Sequence, residues 1–369
     1  MNDNTIFIFD AHAGMKLSRD IILSDGSLLA PKDTVLTPSL IAKISSLHVL
    51  EINIYNEEKD SAAQAERNAA LARTDVDNIN YYERVRNSDE FKHFESEYNV
   101  NVDSVKDNLN SFLTAENNID TDTMVSETMN ILSEARNSLQ MFDMLHAMRN
   151  KDDITFVHSV NVALIASIIG KWLNFNDEQI KTLTLAGLLH DIGKLLVPDN
   201  ILNKPGTLTD NEYEIMKHHV NLGYEQIKDK KLPLPVKEAI LLHHEKCDGS
   251  GYPFGLKSPD IPAVAKIITI ADVYDAMTAS RIYRAPICPF EVVKMMYQDA
   301  FTKFDPIYAI PFLKNVVASY IGTNVKLSDG RTGNVVLIND NALDKPIVQC
   351  GNDYVNLSKN SGLSIVSLI

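Results

Sequence analysis

Cysteine is scarce in this 369-residue chain: the three present, Cys247, Cys288 and Cys350, are odd in number, far apart and form no CxxC pair. Their scarcity excludes a disulfide framework and a thiolate zinc site, and it makes the cytoplasm the expected compartment. Positive charge is also short, with 35 lysines and arginines against 49 aspartates and glutamates and a net charge of -14. Such a balance disfavours bulk nucleic acid and anionic lipid as partners, while leaving room for a local basic site that takes a small anion. Long apolar runs are missing as well. The longest, Val162 to Gly170, stops at Lys171, at about half of the ~20 residues a membrane span needs. Met1-Asn2-Asp3-Asn4 lacks the basic start of a signal peptide, and the apolar run Ile6 to Phe9 is too short for one. Neither export nor a membrane span is expected, and low-complexity sequence and internal repeats are absent too.

What is there is an ordinary globular composition, 45% hydrophobic and 23% charged, in a chain too long for a single core. From Ala13 to about Tyr55 short apolar runs alternate with turn residues. Asp20-Ile21-Ile22-Leu23, Ser24-Asp25-Gly26-Ser27 and Leu28-Leu29-Ala30-Pro31 read as a hairpin, Thr37 to Leu50 as an amphipathic helix and Val49 to Tyr55 as a strand, giving a small α+β module over residues 1–56. Residues 57–121 read as a charged helical linker, surface more than core; the first 120 residues hold 21 acidic against 11 basic side chains. Residues 122–320 are helical nearly throughout, with breaks at Gly170, Pro198, Lys204-Pro205-Gly206, Gly249 to Gly255 and Pro286 to Pro289. After Gly322 short strands and turns signal a small β module over 321–369. The expected fold is therefore mainly α, a central all-helical domain between a small α+β module and a small β module.

Histidine carries the chemical signal: seven of the ten lie between His146 and His244. His190-Asp191 follows the apolar helix Ile180 to Leu189, so both side chains reach out from a packed element. Imidazole beside carboxylate suits iron, manganese, cobalt or zinc, and a carboxylate can bridge two ions. Further candidate ligands are His158 on the helix Thr155 to Trp172, His218 or His219 on the helix Thr209 to Lys228, the pair His243-His244, and Asp272. Neighbours on a helix point about 100° apart, so at most one of His218 and His219 faces a given site. Glu245, Asp275, His146 and His93 read as structural or solvated. Asp248 to Gly255 reads as a wall beside His243-His244. Arg281 and Arg284, three apart, pair with Lys194 as an anion clamp, since guanidinium groups match phosphate oxygens.

These segments, His158-Ser159-Val160-Asn161-Val162-Ala163, His190-Asp191-Ile192-Gly193-Lys194, Ile201 to Gly206 with Lys217-His218-His219, His243-His244-Glu245 with Asp248-Gly249-Ser250-Gly251-Tyr252-Pro253, and Ala271 to Thr278, resemble the HD-GYP subgroup of the HD metal-dependent phosphohydrolases. Order and spacing both agree over about residues 122–318. The resemblance implies bacterial second-messenger signalling through hydrolysis of cyclic di-GMP. By it, His158, His190, Asp191 and Asp272 hold one metal and His219, His243 and His244 a second, with Asp191 bridging, which settles the His218 or His219 question for His219. It also implies that Lys194, Arg281 and Arg284 contact ligand phosphate or base and that Gly251-Tyr252-Pro253 shapes the pocket. Some members bind a third metal through a glutamate one turn before the first ligand histidine; Ile154 stands there, so two divalent ions are implied, with iron or manganese preferred over zinc.

The implied chemistry is attack on phosphorus by a metal-bridging hydroxide with Asp191 and Lys194 as catalytic residues, giving pGpG and then GMP. Two alternatives stand beside it: hydrolysis of another cyclic dinucleotide such as cyclic GMP-AMP, and a catalytically silent module that binds a cyclic dinucleotide. The flanking modules are expected to serve regulation, docking of a protein partner or homodimerisation.

Overall fold

The computed structural model describes residues 4–8, 11, 14–22, 27–37, 40–41, 43–44, 49, 51–55, 76–115, 120–148, 154–204, 208–278, 287–360 and 362–369. They pack as two units, Met1–Thr74 with Val197–His218, and Asp75–Leu196 with His219–Ile369.

In the first unit β1 (Asn4–Phe7) pairs antiparallel with β4 (Glu51–Ile54), while β2 (Ile21–Ile22) and β3 (Leu28–Ala30) form the expected hairpin. Ile21 on β2 and the alternating Ile52 and Ile54 on β4 turn inward and meet Ile8, Leu17, Leu36 and Ile44 from the connecting segments in one small core. Of the helix expected over Thr37 to Leu50, residues 40, 41, 43 and 44 are helical and the rest lie outside the described residues or the helix. Short helices at Asp199–Leu202 and Asp210–Lys217 belong to the same unit, the second opened by a capping box from Thr209 and Glu212.

The second unit is helical and carries the candidate site. Its helices are α1 (Val76–Asn87), α2 (Asp89–Ala115), α3 (Thr121–Glu134), α4 (Ser138–Ala147), α5 (Ile154–Trp172), α6 (Asp177–Leu189), α7 (His219–Ile227), α8 (Leu234–Leu242), α9 (Ala263–Thr278), α10 (Pro289–Asp299) and α11 (Pro306–Ser319). Helix α6 begins with a capping box, Asn176 and Gln179 satisfying each other's backbone N–H groups. Its far end delivers His190. The single helix expected over Thr209 to Lys228 is two, with His218 ending the first and His219 opening the second. Residues Thr155–Trp172 are long and apolar enough to cross a membrane, but 72% of that stretch is buried, so its apolarity is spent on the core.

The stretch read as a charged linker is corrected over residues 76–115. Helix α2 is a core element, because Phe91, Phe94, Tyr98, Val102, Val105, Leu109 and Phe112 recur every three or four residues and are all buried, and α1 buries Tyr82. Charged residues occupy the remaining faces. Helix α2 packs on α3 and α5, and α1 on α4.

At the C-terminus β5 (Asn324–Leu327), β6 (Thr332–Leu337), β7 (Ile347–Cys350), β8 (Asp353–Asn356) and β9 (Ile365–Leu368) form an antiparallel sheet in the order β8-β7-β6-β5-β9. Val325, Leu327, Val335, Val348, Leu357 and Leu368 fill its buried side, and β9 packs against α1 and α10. The fold is mainly α with small β elements at both ends, as the sequence leads one to expect. Cys247, Cys288 and Cys350 are all free thiols.

Candidate metal centre

Side chains from five helices converge in the second unit. His158 projects from α5, His190 and Asp191 from the end of α6, His219 from the first residue of α7, His243 and His244 from the end of α8, and Asp272 from α9. They form two groups whose nitrogen and oxygen atoms lie within 4.8 Å of one another: Asp191, His219, His243 and His244, and His158, His190 and Asp272. Asp191, buried to 1%, spans them. Its Oδ2 lies 3.2 Å from His190 Nε2 and 3.6 Å from His158 Nε2, and its Oδ1 lies 3.3 Å from His219 Nε2 and 3.7 Å from His243 Nε2.

Local backbone geometry makes that convergence feasible. After Asp191 the chain turns as a 3-10 helix, Ile192–Leu196, which brings the Lys194 ammonium back to donate to Asp191 Oδ2. The turn rests directly on the start of α7: a Cβ on Gly193 would lie 1.9 Å from the His219 carbonyl oxygen and 2.6 Å from Gly223 N. Only glycine permits this approach, and it sets His219 beside Asp191. At the end of α8, Thr269 donates to the His243 carbonyl at 2.6 Å and ties that end to α9.

Ring orientation follows from the partner of the other nitrogen. His190 Nδ1 donates to the Gly187 carbonyl at 2.7 Å, and His243 Nδ1 to those of Ala239 and Ile240, both at 3.1 Å. In each ring this leaves the Nε2 lone pair aimed at the cluster. His158 Nδ1 donates to Asp275 Oδ2 at 2.7 Å while its Nε2 lies 3.0 Å from Asp272 Oδ1. Asp275, read from the sequence as structural or solvated, is thus the buried partner that aims a ligand candidate.

Burial pushes His243 down to about 4, and burial with the neighbouring His243 and His219 holds His244 well below the usual histidine range. Burial alone would lower His158, but hydrogen bonds to Asp272 and Asp275 raise it to about 10. Burial likewise opposes ionisation of Asp191 and Asp272, yet His190 and Lys194 beside the first and His158 beside the second keep both well below the ordinary carboxylate range. Neutral imidazoles at His243 and His244 facing the ionised carboxylates of Asp191 and Asp272 belong to the donor set divalent cations take, and at His158 an ion would displace the proton. The residues fit such ions on a further observation: His190 Nε2 and Asp191 Oδ1 are buried with no hydrogen-bond partner among the described residues, a costly arrangement unless something else satisfies them.

The loop after α8 closes one side. Glu245, 1% exposed, accepts the N–H groups of Phe254 at 2.7 Å and Leu256 at 2.9 Å, which pins the loop at its far end. Gly251 lies against the backbone of His244 and Lys246, where a Cβ would come within 2.4 Å of each. Tyr252 donates its N–H to the His244 carbonyl and stacks its ring on His244, centroids 4.7 Å apart at 23°. Pro253 follows, half-buried. Glu245, read as structural, is the anchor of this wall. His218 is exposed and outside the cluster, and His146 is buried elsewhere, against Tyr82 and Tyr274. His93 is surface-paired with Glu134. Arg281 and Arg284 lie outside the described residues.

Residues 129–307 match the family model described as HD domain. A cyclic di-GMP phosphodiesterase of Pseudomonas aeruginosa is 37% identical over 203 residues, 55% of this chain and 49% of that protein. A 3'3'-cGAMP-specific phosphodiesterase of Vibrio cholerae is 40% identical over 153 residues, 42% of this chain and 36% of that protein. The chain spans about half the length of the curated relatives it matches. Among solved structures, an HDGYP protein from Bdellovibrio bacteriovorus superposes with a TM-score of 0.52 at 18% identity, covering 86% of this chain and 99% of that one, a likeness of fold.

Proposed function

We propose, from the match of residues 129–307 to the HD domain family model, that the protein is a metal-dependent phosphodiesterase that hydrolyses cyclic di-GMP to pGpG and onward to GMP. The observation that carries the proposal is Asp191, whose two oxygens face different groups of ligand nitrogens. His158, His190, Asp191 and Asp272 would hold one divalent ion, iron or manganese, and His219, His243 and His244 a second with Asp191 shared. Such a pair supplies a nucleophilic hydroxide at neutral pH and neutralises charge on the phosphate oxygens.

The chain's own groups do the remainder. Lys194 Nζ, held beside Asp191, presents a cation to a phosphate that the overall charge of -14 would repel. The Glu245-anchored loop sets Tyr252 over His244, where it limits water and offers a wall to a guanine base. Arg281 and Arg284 are proposed as further phosphate contacts. The flanking modules are proposed to regulate or dock, as a homodimer or with a protein partner, in the cytoplasm. Relatives of similar identity named 3'3'-cGAMP-specific phosphodiesterases favour a second reading, hydrolysis of that hybrid dinucleotide.

The test is product chromatography on protein purified without oxygen and reconstituted with ferrous iron or manganese. Both dinucleotides are supplied separately. Metal-dependent pGpG from cyclic di-GMP supports the first reading, and turnover of the hybrid alone supports the second. No turnover of either by metallated protein would leave a binding module.

A further inference from the structure

Helix α2 lies wholly before the matched HD domain, yet one of its side chains is bonded into the candidate centre. Tyr98 is fully buried, and its hydroxyl lies 2.6 Å from Asn161 Oδ1 and 3.1 Å from the Val157 carbonyl. Asn161 Nδ2 donates to Asp275 Oδ1 at 2.8 Å, and Asp275 Oδ2 accepts from His158 Nδ1 at 2.7 Å. The bonds run in one direction. The tyrosine donates to the amide oxygen, the amide nitrogen donates to one carboxylate oxygen, and the other oxygen receives the imidazole N–H. Asn161 and Asp275 are 5% and 4% exposed, so no member can trade its partner for bulk water. The second contact of Tyr98 is to the residue immediately before His158.

We propose that Tyr98 is a positioning residue for His158, acting through Asn161 and Asp275, so that helix α2 is part of the metal centre although it lies outside the HD domain. The inference rests on the reading of His158 as a metal ligand. Without the Tyr98 hydroxyl, Asn161 Oδ1 loses its donor, and an amide turned to recover one would set its oxygen against the Asp275 carboxylate. Asp275 then holds the His158 ring less firmly, and the preorganised Nε2 direction is lost.

The experiment uses full-length chain, wild type against Tyr98→Phe, with manganese affinity by titration calorimetry and, on chelated protein, the His158 ring 15N shifts by NMR. Tyr82→Phe is the control, since Tyr82 is equally buried and bonded to His146 instead. Tyr98→Phe is expected to weaken manganese binding about tenfold, the low end of the range for outer-shell partners. Combined with Asn161→Ala it should weaken binding no further than Asn161→Ala alone, as for one connected chain. The His158 shifts should move in Tyr98→Phe and stay in Tyr82→Phe. A merely structural Tyr98 would lower the melting temperatures of both variants while leaving affinity and shifts as in wild type, and that result overturns the proposal. A wild type that takes up no manganese sinks the reading of His158 as a ligand, while the chelated-protein shifts still decide whether Tyr98 positions its ring.

Discussion

Two clusters of buried polar side chains share the helical unit, and α9 contributes to both. On one face of α9, Asp272 and Asp275 meet imidazoles within hydrogen-bond reach, and the group stays charged: His158 is raised to about 10 and Asp272 is depressed. Tyr274, two residues after Asp272, instead joins His146 and Phe142, and His146 meets the Tyr82 hydroxyl. There burial dominates. Asp143 is pushed up to about 7, opposed only by its bond from Tyr81, and His146 is pushed down to about 3. Unpartnered buried atoms occur in both clusters, so burial and orphan atoms alone do not mark a metal site. What separates them is convergence: in the first cluster the ligand atoms of each of two groups crowd within 4.8 Å, and charged imidazole and carboxylate meet directly at His158 and Asp272. In the second, burial moves each group towards its neutral form, Asp143 up and His146 down, without a charged partner among the described residues.

The sharpest way to break this contrast is Asp191→Ala beside Asp143→Ala. The first should empty both metal groups and cut cyclic di-GMP turnover by more than the roughly 100-fold upper range of outer-shell changes. The second should leave metal content as in wild type, both read by atomic absorption and product chromatography. Next in size is Asp275→Ala, which removes the acceptor for His158 Nδ1. Manganese affinity measured by calorimetry should fall about 10- to 100-fold.

Acidity sharpens the comparison further. His158 has a raised folded pKa, so in chelated protein its stabilising contribution is complete below its unfolded value near 6.5 and is lost as pH rises towards about 10. Asp143 is also raised, so its contribution is lost earlier, between about 4 and about 7. His146 is lowered and works the other way, its contribution being complete above about 6.5 and lost as pH falls towards about 3. Thermal melts across pH should therefore show the upper loss vanish in His158→Gln and the neutral-range loss vanish in Asp143→Asn. Manganese should remove the upper loss in wild type, because a bound ion replaces the His158 proton. The smallest effect is expected from Tyr252→Ala, which gives up the stack on His244 worth about 0.5–1.5 kcal/mol and should show as a modest rise in KM with the metal content unchanged.

Much of the first cluster is legible in the sequence because four of its ligand candidates stand as adjacent pairs at helix ends near glycines, a pattern that few core positions share. His190-Asp191 with Gly193, and His243-His244 with the loop to Pro253, carry that signal. The role of Asp275 is not legible, because a carboxylate on a helix looks the same whether it meets water or a partner: it meets His158 across 117 residues of chain. The linker reading of 57–121 failed where average charge was allowed to outweigh period. The stripe from Phe91 to Phe112 is spaced for a helix and marks a buried face. Tyr98 sits on that stripe, where it passes for core filler until its hydroxyl is traced to Asn161. The strands at Asn4–Phe7 and Ile365–Leu368 are too short for an alternation signal and exist through pairing with β4 and β5.

The most direct measurement is the number of manganese ions per chain in wild type, His158→Ala and His243→Ala, each saturated under the same conditions. A shared binuclear centre predicts about two ions in wild type and about one left in each variant. A wild type that holds one ion or none, or variants that both keep two, would contradict it.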